Sequence, residues 1–246
     1  MSWRLPSEAA TPYLNVCDYA AKSDDFFKEF KSHPAYRHVL EHVSYEEGLQ
    51  YYNLIDLDIK EEVKKNDTFG SPDIYEYPCG RISPTTLRYV KNTCDILRNF
   101  DRSKLSSIVE IGGGYGGLCV TASNYIDFES YLILDQEEPN KLTRKYVSNW
   151  DLPHQSCRLD ELVLDDDYEF DLCISNYAFS ECDLETQTEY LEKIIKKSKK
   201  FYLVYNSFTE NMQCSDFIEC LSDKYNISSE DDHEGASPQV IYGTRK

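Results

Sequence analysis

Nowhere in these 246 residues does an apolar run approach the ~20 residues that span a bilayer. The opening MSWRLPSEAATPYL lacks the apolar core of a secretory signal. Cys-x-x-Cys pairs are missing too. The nine cysteines are Cys17, Cys79, Cys94, Cys119, Cys157, Cys173, Cys182, Cys214 and Cys220. Their odd number and irregular spacing argue against a zinc knuckle or a disulfide framework. Cys119 and Cys173 fall inside apolar runs, where a reduced thiol serves as a small core residue. These absences lead us to expect a reduced, cytoplasmic protein with no membrane partner and no metal.

Positive charge is also short. Against 44 acidic residues stand 26 lysines and arginines, a formal net charge of −18. Neutralising nucleic-acid phosphates needs a basic face, so a polynucleotide partner is excluded. The deficit is uneven. Residues 1–100 carry 16 acids and 12 bases, whereas 101–246 carry 28 acids and 14 bases. Segment 159–192 holds 12 acids and no base, which reads as a solvated acidic face. The hydrophobic share, 41%, is that of an ordinary globular chain and excludes global disorder. The length suits one α/β domain with a modest extension.

The apolar spacing divides the chain. Residues 12–100 read as helical. Pro34 follows Ser32-His33, Pro84 follows Ser83, and each opens a helix. After Pro84, Leu87, Val90, Cys94 and Leu97 recur at spacings of three, four and three, one buried helix face. Between them, 67–83 is rich in Gly, Pro and Tyr and reads as a loop. From residue 105, short β-branched runs alternate with amphipathic stretches. Strands are expected at 105–111, 131–135, 154–159, 170–176, 201–206, 225–230 and 238–244. Helices are expected after the glycine cluster to about 127, after 135, over 184–198 and around 211–223. Such alternation argues a parallel sheet with crossover helices. The last two strands lie too close for a crossover and read as an antiparallel hairpin at the sheet edge.

The informative segment is Val109-Glu110-Ile111-Gly112-Gly113-Gly114-Tyr115-Gly116-Gly117. Glycines between a strand and a helix let the backbone approach a ligand closely. Gly112, Gly114 and Gly117 fit the dinucleotide fingerprint G-x-G-x-x-G. Glu110, Gly112, Gly114 and Gly116 fit an acidic-x-G-x-G-x-G turn that holds S-adenosylmethionine. Asp135, ending the next strand, suits the ribose hydroxyls of either cofactor. A nicotinamide enzyme also needs a proton relay, and the only Tyr-x-x-x-Lys pair, Tyr242/Lys246, stands at the chain end. The segment resembles the S-adenosylmethionine turn of class I methyltransferases more closely, and a closing hairpin is a methyltransferase trait by the same resemblance.

VEIGGGYGGL, YLILD and Asn176-Tyr177-Ala178-Phe179-Ser180-Glu181 resemble the sugar O-methyltransferase family of class I S-adenosylmethionine-dependent enzymes. Gly70-Ser71-Pro72 and Ile82-Ser83-Pro84-Thr85-Thr86-Leu87-Arg88-Tyr89 extend the resemblance over residues 35–245. It implies a Rossmann-like, mostly parallel seven-stranded sheet with a closing antiparallel hairpin over 101–246. A helical cap over 1–100 would precede it. It also implies methyl transfer to a hydroxyl of a sugar or nucleotide-sugar in glycan biosynthesis. Another small molecule or a protein as acceptor, or a silent binding protein of the same fold, are the alternatives. Oligomeric state is left open.

In-line transfer to a weakly acidic hydroxyl calls for a general base at the carboxyl ends of the strands. Glu181 and His233 are placed for it. Asp183 suits the N-cap of the following helix. The cofactor would meet Glu110, Gly112, Gly113, Gly114, Tyr115, Gly116, Asp135, Gln136, Asp160, Asn176 and Tyr177. Arg88 would fork onto its methionine carboxylate. Tyr75, Tyr77, Arg81 and Tyr89 would form an aromatic lid over the acceptor.

Overall fold

The computed structural model describes residues 7–165, 167–206, 211–231 and 239–246. Five helices and a small hairpin come first: α1 (Ser7–Lys22), α2 (Asp24–Phe27), α3 (Pro34–Val39), α4 (Tyr45–Leu54), the strands β1 (Tyr75–Tyr77) and β2 (Gly80–Ile82), and α5 (Pro84–Asn99). Their starts follow local chemistry. His33 Nδ1 accepts from the Ala35 amide ahead of α3. Ser44 and Glu47 form a capping box on α4, and Ser83 accepts from the Thr86 amide on α5.

The remainder alternates: β3 (Ser107–Ile111), α6 (Gly117–Ala122), β4 (Ser130–Leu134), α7 (Glu137–Val147), β5 (His154–Cys157), β6 (Leu172–Asn176), α8 (Ala178–Glu181), α9 (Leu184–Lys193), β7 (Lys200–Tyr205), α10 (Cys214–Leu221), β8 (Tyr225–Asp231) and β9 (Gln239–Arg245). These seven strands form one sheet in the order β5-β4-β3-β6-β7-β9-β8. Strands β3 to β7 pair in parallel, and β9 runs antiparallel between β7 and β8. The order reverses between β3 and β6, so a crevice opens beyond their carboxyl ends.

Strand alternation supplies both faces. Ile108, Ile174, Tyr202 and Val204 pack on one side, against α5–α7 and the N-terminal helices. Val109, Ile111, Cys173, Phe201 and Leu203 pack on the other, with Leu191 and Phe217 of α9 and α10. The first cluster is continuous from Tyr13 and Phe30 through Leu87 to Leu118 and Tyr146.

Three expectations are corrected. Segment 67–83 is not all loop, because β1 and β2 pair within it. The helix expected to run to about 127 stops at Ala122. Helix α5 is not amphipathic in burial: every residue from Pro84 to Ile96 is buried, because the sheet and the N-terminal helices cover opposite sides. Its polar side survives by internal pairing. Lys91 Nζ lies 2.9 Å from Asp95, which also accepts from the Tyr202 hydroxyl at 2.8 Å. Among the described residues no helix is long and apolar enough to cross a membrane.

Candidate functional site

The glycine turn follows β3 at the point where the strand order reverses. Gly112, Gly114 and Gly116 adopt φ values of 76°, 59° and 87°, the left-handed region that favours glycine. The turn is pinned at both ends. The Gly112 amide donates to the Leu134 carbonyl at 2.8 Å, and the Thr143 hydroxyl donates to the Gly114 carbonyl at 2.7 Å.

Asp135 joins this turn to the next strand. One carboxylate oxygen accepts from the Gly114 amide at 3.0 Å, the other from the Gln136 amide at 2.8 Å. Burial pushes its pKa up to about 6, although both backbone bonds pull it down. Glu110 is 2% exposed and accepts from the Tyr131 hydroxyl at 2.9 Å. Burial pushes it up to about 8, so it is largely protonated at neutral pH.

Two cavities meet at Asp135 and Gln136. The larger, 390 Å³, is floored by Glu110 and Gly112–Gly114. Asn176, Tyr177, Ala178 and Glu181 form one wall, with Asn206 beside them. Arg88 and Tyr89 of α5 form another, and Tyr13, Leu40, His42, Glu47 and Tyr51 close it from the N-terminal helices. The smaller, 240 Å³, is lined by Asp160, Arg158, Thr186 and Tyr190.

The side chains around the larger cavity are chemically distinct. Arg88 is 5% exposed and donates to the Leu40 carbonyl at 3.1 Å. Its guanidinium also lies 5.9 Å from the Tyr89 and Tyr177 ring centres. Tyr177 has φ 68° and ψ −40°, a strained conformation for a non-glycine residue. Asn176 accepts from the Asn92 side chain at 2.9 Å, tying β6 to α5. Glu181 accepts weakly from Asn206 Nδ2 at 3.4 Å, and burial raises its pKa. His42 is held below its ordinary value by burial and by Arg88.

Most of the residues singled out in the sequence come together here, but five stand elsewhere. Tyr115 is fully buried and lines neither cavity. Its ring turns away among Tyr36, Tyr89 and Tyr146, because flanking left-handed glycines throw it to the far side of the turn. Gly116 faces Val147 and Thr143 instead of a cavity. Tyr75, Tyr77 and Arg81 sit on the β1–β2 hairpin away from both cavities. Tyr77 stacks on Tyr45 at 5.0 Å and donates to its carbonyl, and Arg81 is exposed. Of the four proposed lid residues, Tyr89 alone reaches the cavity. Asp183 caps α9 by accepting from the Thr186 amide at 2.9 Å. His233 lies outside the described residues. Tyr13, His42, Glu47 and Tyr51 had no motif to mark them, since they reach the site only through the packing of α1, of α4 and of the segment between α3 and α4.

No protein-family model matches the chain, and no curated protein matches it in sequence. Solved structures match the architecture. The PH0226 protein of Pyrococcus horikoshii OT3 is 11% identical, with a TM-score of 0.51 over 65% of this chain and 90% of that one. The pyocyanin biosynthetic protein PhzM is 12% identical, with a TM-score of 0.50 over 66% of this chain and 56% of its own. The mitomycin 7-O-methyltransferase MmcR is 15% identical, with a TM-score of 0.47 over 67% and 56%. With its central β3, its reversal at β6 and its antiparallel β9, the chain has the class I methyltransferase fold.

Proposed function

We propose that this protein transfers the methyl group of S-adenosylmethionine to a hydroxyl of a sugar or nucleotide-sugar. The observation that carries the cofactor half is Asp135, fixed by the Gly114 and Gln136 amides where two cavities join. Both of its oxygens keep lone pairs for a ribose diol. Gly112–Gly114 would hold the methionine end, Arg88 its carboxylate, and Asp160 would border the adenine. The cofactor supplies an electrophilic methyl on a sulfonium.

The protein's share of the reaction is alignment and proton removal. Asn176 and Tyr177 fix the wall between cofactor and acceptor. Glu181, on the acceptor side, takes the hydroxyl proton as the new bond forms. Its raised pKa brings a carboxylate nearer to the basicity that neutral-pH catalysis favours. The helices of residues 1–100 act as a cap that closes the acceptor space with His42, Glu47 and Tyr51. A small polar acceptor fits this enclosure better than a macromolecule. The sugar assignment draws its support from the motif resemblance.

The test is calorimetric titration with S-adenosylmethionine and S-adenosylhomocysteine, followed by a radiolabelled-methyl screen of sugars and nucleotide-sugars. Binding of both, with methylation of a sugar, is expected. Glu181→Gln should lower turnover by about a hundredfold or more while cofactor Kd stays within about twofold. Absence of cofactor binding would sink the enzymatic reading. Binding with transfer only to non-sugar acceptors would move the assignment to another small molecule.

A further inference from the structure

Tyr115 poses a question that the cavity does not answer: why a large phenol stands between two left-handed glycines of a ligand-binding turn. Its ring folds back over Gly117, where an added Cβ would come within 2.6 Å of it. Its hydroxyl accepts from Asn66 Nδ2 at 3.1 Å. Asn66 is completely buried and lies far away in sequence, in the turn Glu61–Asp67.

Asn66 is saturated with partners. Its Nδ2 also donates to the Thr86 hydroxyl at 2.9 Å. Its Oδ1 accepts from the Tyr146 hydroxyl at 2.9 Å, and its backbone carbonyl accepts from Lys31 Nζ at 2.8 Å. Lys31 is 1% exposed, and Glu41 and Asp67 act on its charge from nearby. Its ammonium also lies 4.1 Å from the Tyr115 ring centre and 5.1 Å from that of Tyr146. The Lys31 stem fits because Gly70 has no side chain; a Cβ there would lie 2.4 Å from Lys31 Cγ. Residues from the N-terminal half thus grip the one bulky side chain of the turn.

We infer that Asn66 and Lys31 are positioning residues for the cofactor turn: through Tyr115 they make the geometry of Gly112–Gly116 depend on docking of the N-terminal segment. Cofactor affinity and docking of residues 28–70 are then reciprocally coupled. The inference rests on the cofactor reading proposed above. It assigns the N-terminal segment a second task, separate from enclosing the acceptor, because none of Lys31, Asn66 and Tyr115 lines the cavity.

The experiment measures S-adenosylhomocysteine affinity and thermal stability for the full-length protein and for Tyr115→Phe, Lys31→Met and their double variant. Phe217→Leu, in the opposite apolar layer, is the stability control. Tyr115→Phe removes a single oxygen and keeps the ring, so it tests the idea even if Lys31→Met does not fold. The double variant is expected to bind about tenfold more weakly at a temperature where it is fully folded. The control should lose stability without losing affinity. In the wild type, ligand should slow amide exchange over 61–70, and Tyr115→Phe should reduce that protection. Unchanged Kd in folded Tyr115→Phe and Lys31→Met variants would make these residues core members only and overturn the inference. Failure of the wild type to bind the ligand at all would overturn the cofactor reading itself.

Discussion

Glu110 and Asp135 are two buried acids that the site keeps at opposite ends of its working range. Glu110, raised to about 8, is mostly neutral at pH 7, whereas Asp135, raised to about 6, is mostly ionised. The sign of the pH effect follows from linkage. A carboxyl with a raised folded pKa is protonated in the native state where the unfolded chain has already lost its proton. Glu110 therefore favours folding most below its unfolded value, and that contribution falls as pH rises towards 8. Between pH 7 and 9 the loss is about one pKa unit, ~1.4 kcal/mol. Glu110→Gln, which stays neutral, should flatten that decline: melting curves should show it level with wild type near pH 4, already more stable at pH 7 and further ahead at pH 9. An equal alkaline decline in both proteins would refute a protonated Glu110. Arg88 makes a second prediction at this scale. A buried cavity arginine that, among the described residues, donates to the Leu40 carbonyl has further N–H groups to hold an anionic ligand group. Arg88→Gln should weaken carboxylate- or phosphate-bearing ligands about 10- to 100-fold, the range for hydrogen bonds to charged groups. Arg81→Gln should leave them unchanged in the same titration. Glu110 and Asp135 were legible because a glycine turn fixes its neighbours locally. Tyr115 was not, since chain proximity to the turn says nothing about which side a residue faces.

Helix α5 shows how an element can be half legible. Its start is written in Ser83-Pro84, and its apolar stripe in Leu87, Val90 and Cys94, all buried. The stripe could not reveal the burial of Arg88, Lys91, Asn92 and Asp95, because polar residues in a periodic pattern read as a wet face. What covers them is α4 and, through hydrogen bonds from Asn92 and to Asp95, the strands β6 and β7, all distant in sequence. The β1–β2 hairpin was hidden for a related reason: three-residue strands are too short to show alternation. The start of α5 is also braced from outside. Asp67 accepts from the Ser83 amide, the Ser83 hydroxyl and the Thr86 hydroxyl, each at 2.7 Å. Ser83 in turn caps the helix through the Thr86 amide. Ser83→Ala should therefore cost at least the ~1 kcal/mol of a lost cap, read from denaturant unfolding. Ser83→Asp would restore the cap acceptor but set a carboxylate against Asp67, so it should not rescue. Full rescue would show that Asp67 contributes nothing to the start of the helix.

Across the whole molecule the acidity is better balanced than its sequence distribution suggests. The baseless segment 159–192 borrows its partners from either side. Arg158 reaches Asp160 and Glu161, Lys199 reaches Asp171, and Arg245 reaches Glu169. Lys193 and Lys196 pair with Glu189 and Glu192 along the chain. Among the described residues no acidic group is arranged to hold a metal ion. The strand pattern exposed the sheet; the Lys199 and Arg245 pairs were invisible to it, since they depend on the start of β7 and the end of β9 lying near the segment that leads into β6. What remains is a field set by a net −18, and that field bears on the proposed reaction. S-adenosylmethionine carries a sulfonium, an ammonium and a carboxylate, so it is a net cation; S-adenosylhomocysteine, without the sulfonium, is neutral overall. An acidic protein should attract the donor more than the spent product. Salt screens this preference, with a Debye length of about 30 Å at 0.01 M and about 3 Å at 1 M. Raising ionic strength across that range should weaken S-adenosylmethionine about two- to threefold more than S-adenosylhomocysteine, as measured by parallel titrations. A ratio of affinities indifferent to salt would mean that contacts within the cavity alone, and not the charge of the molecule, tell donor from product.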